Sequence, residues 1–87
     1  MNELIFMEEL NRANCIVDEL RKTSPDVIRL IHRLQQNIST CEIFVIQSDL
    51  RKKIEVALYQ GGIVKEKAST LALMMAYNIV QDIQIVM

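Results

Sequence analysis

The chain has 87 residues, 51% of them hydrophobic and 24% charged, with ten Lys+Arg against eleven Asp+Glu. That balance describes a chain folding around one core, and the length leaves no room for a second unit, so residues 1–87 are expected to form a single domain. Two glycines, one proline and no tryptophan argue against many short strands joined by tight turns. A net charge of −1 lacks the basic surplus of a phosphate-backbone binder, so no nucleic-acid partner is expected.

In the first segment, Phe6, Leu10, Ala13, Val17 and Leu20 recur in steps of four and three, which lays them on one stripe of a helix over residues 2–22. Arg21 and Lys22 fall in its last turn, where cations suit the negative end of the helix dipole. Ser24-Pro25-Asp26 then supplies a side-chain oxygen at the N-cap, a proline with no N–H to leave unpaired, and an acid in the first turn. The second helix starts there, with the stripe Val27, Ile31, Leu34, Ile38 and Cys41, and His32 falls on its polar side.

Ser39-Thr40-Cys41-Glu42 has the capping-box form, whereas Ile43-Phe44-Val45-Ile46 is β-rich. One four-residue strand would have no partner, so residues 42–47 read as helix. A restart or kink is expected near Ser48-Asp49, followed by Leu50, Ile54, Ala57 and Leu58 as the apolar positions, and Gly61-Gly62 ends this third helix. The fourth runs from about Lys65 with the stripe Ala68, Ala72, Met75, Ile79, Ile83 and Val86. Tight connections at residues 23–25 and 61–64 favour antiparallel neighbours, so the expected fold is all-α, a small antiparallel up-and-down four-helix bundle.

The charges divide along the chain. Residues 1–20 carry one Arg against five acids, residues 21–67 nine basic residues against five acids, and residues 68–87 only Asp82. An acidic first helix beside a basic middle segment is the ordinary charge pairing of a bundle. Arg51, Lys52 and Lys53 with Lys65 and Lys67 lack interleaved aromatics for base stacking and read as a solvated face.

Chemistry is sparse. Cys15, Cys41 and His32 are too few and too far apart for a zinc site, and both cysteines read as small buried hydrophobes. The adjacent glycines follow a helix instead of opening one, which excludes a phosphate loop. One exposed histidine supports at most one nucleophile–base pair, so no enzyme activity, catalytic residue, metal or cofactor is expected. Ile31-His32-Arg33-Leu34 resembles the start of the A-H-x-L-K-G motif of histidine phosphotransfer domains, with Gln35 and Gln36 where that motif has Lys and Gly. His32 is therefore read as a solvated side chain, with phosphotransfer a remote alternative. The acid-bearing start MNELIFMEEL has no basic n-region, so no secretory signal and a cytoplasmic location are expected.

The fourth segment stands apart. From Leu71 to Met87, thirteen of seventeen residues are apolar, too short and too interrupted by Asp82 to span a membrane, yet apolar around most of a helix. Leu71, Leu73, Met74, Ile85 and Met87 are the expected interface for self-association, giving a homo-oligomer, or for a different protein partner.

Taken in order, Ile16-Val17-Asp18-Glu19-Leu20 closing a first helix, Asp26-Val27-Ile28 through Ile38 as a second, and Leu50 to Tyr59 as a third resemble the immunity proteins of pediocin-like (class IIa) bacteriocins. The resemblance covers most of the chain as a pattern of apolar spacing. It implies a cytoplasmic antiparallel four-helix bundle that recognises a bacteriocin-occupied membrane receptor from the cytoplasmic side and blocks pore opening. The competing class is a small helical adaptor, chaperone or phage-encoded inhibitor that docks one apolar helix on a target protein.

Overall fold

The computed structural model describes the backbone of residues 2–86 and the side chains of residues 7–84. The described residues form four helices and no strand: α1 (Asn2–Thr23), α2 (Pro25–Leu34), α3 (Thr40–Gln60) and α4 (Lys65–Val86). They pack as a bundle around a wholly apolar core; among the described residues no polar or charged side chain is buried. Phe6 and Val86, expected on the stripes of the first and last helices, lie outside the described side chains.

Local chemistry sets the helix boundaries. Ser24 is extended (φ −85, ψ 115) and its Oγ accepts from the Val27 N–H at 3.4 Å, while Pro25 opens α2 as expected. Ser39 caps α3 in the same way, its Oγ accepting from the Glu42 N–H at 3.2 Å. The Glu42 carboxylate turns to Arg33 at the end of α2 and accepts from its guanidinium. Residues 42–47 are helical, and α3 runs unbroken through Ser48-Asp49, so the expected restart there does not occur. Ile46, Leu50, Ile54 and Leu58 form one buried row along it.

The turn after α3 is built on Gly62, whose φ of +95 is a left-handed conformation that costs glycine little. The Gly62 N–H donates to the Tyr59 carbonyl and the Ile63 N–H to the Leu58 carbonyl, at 3.1 and 3.0 Å, while Ile63 buries its side chain. Two carbonyls left over at the helix end are thereby satisfied. Gly61 has a different role: a Cβ there would lie 2.6 Å from Ile16 Cδ1, so the missing side chain lets α1 close over the end of α3.

The path of the chain differs from the expected up-and-down order. Ile16 meets Gly61, Asp26 pairs with Lys53 at 3.1 Å, and Arg33 pairs with Glu42. Residue numbers thus rise along α1 and α2 while they fall along α3. Against α4 they rise together: Glu9 pairs with Lys67 at 2.6 Å, and the Leu34 carbonyl accepts from Gln84 Nε2 at 2.9 Å. Helices α1 and α2 are two parts of one bent limb that runs against α3 and along α4.

The physical reason is the length of the connection. A helical hairpin needs roughly 2–5 loop residues to turn back, and Ser24 alone separates α1 from α2. Helical hydrogen bonds continue on both sides of it, from the Ser24 N–H to Leu20 and from the Ile28 N–H to the Ser24 carbonyl, each 2.9 Å. The chain bends at Ser24 without reversing. Reversals occur at residues 35–39 and 61–64, where the connections are long enough.

Two more expectations are corrected. The second helix ends at Leu34, so the stripe drawn on to Ile38 and Cys41 is interrupted by the turn that precedes Ser39. Because α3 starts afresh at Thr40, Cys41 falls off its buried row and is exposed; Cys15, two residues from both Ala13 and Val17, faces away from the core and is also exposed. Neither cysteine is a buried hydrophobe.

Candidate interaction face

Helix α4 is the most extensively buried of the four, packed along its length against α3 and partly covered by the α1–α2 limb. Ala68, Leu71, Ala72, Met75, Ala76, Ile79 and Val80 form its inner face. This strip spans about half the circumference, wider than one stripe in steps of four and three, because the helix is covered on two sides.

Of the five residues expected at an interface, Leu71 belongs to that inner face. It is 2% exposed, held in the core by the same two-sided packing, and offers no surface for a partner. Leu73 and Met74 are 55% and 48% exposed on the outer face, as expected. The side chains of Ile85 and Met87 lie outside the described residues.

Two further residues join Leu73 and Met74. Tyr77, one turn along from Leu73, is 51% exposed; Phe44 on α3, 66% exposed, shares with Leu73 a shallow cleft of about 160 Å³ with Gln47, Ser48 and Arg51 in its walls. The signal for Phe44 was its place in Ile43-Phe44-Val45-Ile46. A helix can turn only part of four consecutive apolar residues inward, and here Ile46 is buried while Phe44 and Val45 remain outside.

The remaining candidates do not converge. His32 is exposed on α2. The five cations considered as a basic patch are dispersed: Arg51 pairs with Glu55 at 2.9 Å, Lys53 with Asp26, and Lys67 with Glu9, while Lys52 and Lys65 line separate clefts. Lys53, through its hydrogen bond and charge, and then Arg29 hold the Asp26 carboxyl below the ordinary aspartate range. The α2–α3 cleft, about 380 Å³, combines Asp26 and Asp49 with Arg29, Lys52 and Lys53 and so presents charges of both signs. No group of three or more His, Cys, Asp or Glu side chains suited to a metal occurs among the described residues, and no helix among them is long and apolar enough to cross a membrane.

Comparisons with protein-family models, with curated proteins and with solved structures find no match to this chain.

Proposed function

We propose that this protein is a non-enzymatic protein-binding helical bundle that works through the outer face of α4. The observation that carries the reading is that Leu73, Met74 and Tyr77 stand half exposed on a helix whose opposite side is already committed to the core. Side chains of this size gain roughly 1.5–3 kcal/mol each when fully removed from water. Packing against another protein realises part of that gain without unfolding the bundle.

The test is affinity capture from native lysate with the parent and with a Leu73→Glu/Tyr77→Glu variant whose helical content is checked by circular dichroism. A protein retained by the parent and lost by the folded variant supports the reading. Equal retention by both would move the interface elsewhere.

A cytoplasmic bacteriocin immunity protein is one specific form of such a module, supported by the four-helix content, while the end of α2 at Leu34 and the bent α1–α2 limb depart from the second helix and antiparallel order that the resemblance implies. Expression in a bacteriocin-sensitive strain tests it: protection supports immunity, and unchanged sensitivity removes that form while leaving the adaptor form in place.

A further inference from the structure

We infer that α1 is a lid on the α3–α4 hairpin, opening about Ser24 as one unit while α2, α3 and α4 stay packed. The pivot is built into the backbone. Pro25 has no N–H to give the Arg21 carbonyl, and the Val27 N–H bonds the Ser24 hydroxyl in place of the Thr23 carbonyl. The helical ladder therefore passes from α1 to α2 only through Ser24, from its N–H to Leu20 and from the Ile28 N–H to its carbonyl. The Ser24 N–H lies on the α1 side of that residue's φ and ψ, and its carbonyl lies on the α2 side. Rotation about those two bonds tilts α1 without breaking either hydrogen bond.

Beyond the pivot, α2 is anchored at both ends. Val27 and Leu34 are 1% and 0% exposed. Asp26 pairs with Lys53 at the start of α2, while at its end Gln84 donates to the Leu34 carbonyl and Arg33 pairs with Glu42. The hold on α1 is weaker. Among residues 7–23 it buries only Ala13 and Val17, two of the smaller apolar side chains, with Leu10, Ile16 and Leu20 partly covered. One ion pair joins these residues to the hairpin, Glu9 with Lys67 at 2.6 Å.

The second half of α1 stands off from α4 across a cleft of about 150 Å³ floored by Val17, Met75 and Ile79. Asn14, Asp18 and Arg21 form one wall, Asn78 and Asp82 the other, and no ion pair or hydrogen bond joins the two walls among the described residues. That edge supplies no polar fastening. Apolar stabilisation follows the area buried, so lifting α1 costs less than separating the long buried rows of α3 and α4, and local opening of this kind precedes global unfolding. Opening withdraws Ile16 from Gly61 and uncovers Met75 and Ile79, now 8% and 6% exposed.

Hydrogen exchange of the full chain, followed by mass spectrometry in native buffer, tests the inference. A lone helix of this length is marginal in water, so the amides of residues 10–20 should exchange at least ~10-fold faster than those of residues 27–34 and 46–58. One common rate for α1 and α3 would overturn the lid, and joint exchange of α1 and α2 would overturn Ser24 as the pivot. Thiol labelling supplies a second readout. In a Cys15→Ser/Cys41→Ser background, Ala13→Cys and Ala76→Cys each place a thiol at a site with no exposure. At equal global stability by circular dichroism, the first should label at least ~10-fold faster, and Lys67→Gln should speed it a further ~2–5-fold while leaving the second unchanged. Equal labelling at the two sites would overturn the lid, and no response to Lys67→Gln would overturn the Glu9–Lys67 pair as its clasp. If either cysteine variant fails to fold, exchange on the unaltered chain still decides.

Discussion

The α3–α4 hairpin and the α1–α2 limb are each two helices joined by a short connection, but only the first turns back on itself. In the hairpin, residues 61–64 include a left-handed Gly62, and the reversal brings two long apolar rows together. In the limb, the single extended Ser24 permits a bend, and both helices lie against the hairpin. The contrast teaches that a capping signal fixes where a helix starts, whereas the number of residues before it decides whether the chain reverses.

The largest effect expected from testing this comparison lies on the hairpin's inner side. Leu71→Glu places an unpaired carboxylate in an apolar core and should cost about 3–5 kcal/mol, a large share of a small domain's stability. Leu73→Glu, two residues away on the outer face, should leave the helical signal intact, with an intrinsic folding cost of about 0.5 kcal/mol or less. Chemical denaturation with circular dichroism compares the two, and similar losses would mean that the faces of α4 are wrongly divided.

The contact between limb and hairpin comes next. Gly61→Ala puts a Cβ 2.6 Å from Ile16 Cδ1, the far end of a partly exposed side chain that must shift, and should destabilise by about 1 kcal/mol through overpacking. Adding Ile16→Val, which removes that methyl, should recover part of the loss. A double-mutant cycle showing strict additivity would mean that α1 does not close over Gly61.

At the bend itself, Ser24→Ala should cost about 1 kcal/mol by leaving the Val27 N–H without its cap. Ser39→Ala at the start of α3 should cost a similar amount. Thermal unfolding of the two variants compares a cap at a bend with a cap after a reversal, and a Ser24→Ala variant as stable as the parent would show that Pro25 alone sets the start of α2.

The smallest effect is electrostatic. Lys53 and then Arg29 lower the Asp26 carboxyl's pKa, so the folded state favours the ionised form more than the unfolded state does. The stabilisation is complete well above the ordinary aspartate value of about 3.9 and is lost as pH falls through the lowered folded value. Because the group is exposed, the stability difference between the parent and Asp26→Asn should be small, and it should shrink toward acid pH. A difference that grows on acidification would have the wrong sign for this pair.

Apolar periodicity, Ser24-Pro25, Ser39 and Gly61-Gly62 determined much about the helices, because these signals act within a few residues along the chain. Periodicity identified Val17, Leu50, Ile54, Leu58 and Met75 as core, and it identified the apolar excess of α4. Tertiary structure alone decided that α1 and α2 form one limb, since direction depends on what each helix lies against, and Ser24 permits a bend where a longer loop would permit reversal. It also decided the fate of individual apolar residues on α4: packing from two sides took Leu71 inward and left Leu73, Met74 and Tyr77 outside. A helix's own sequence gives the angle between such side chains, but only its neighbours determine how much of the circumference is covered.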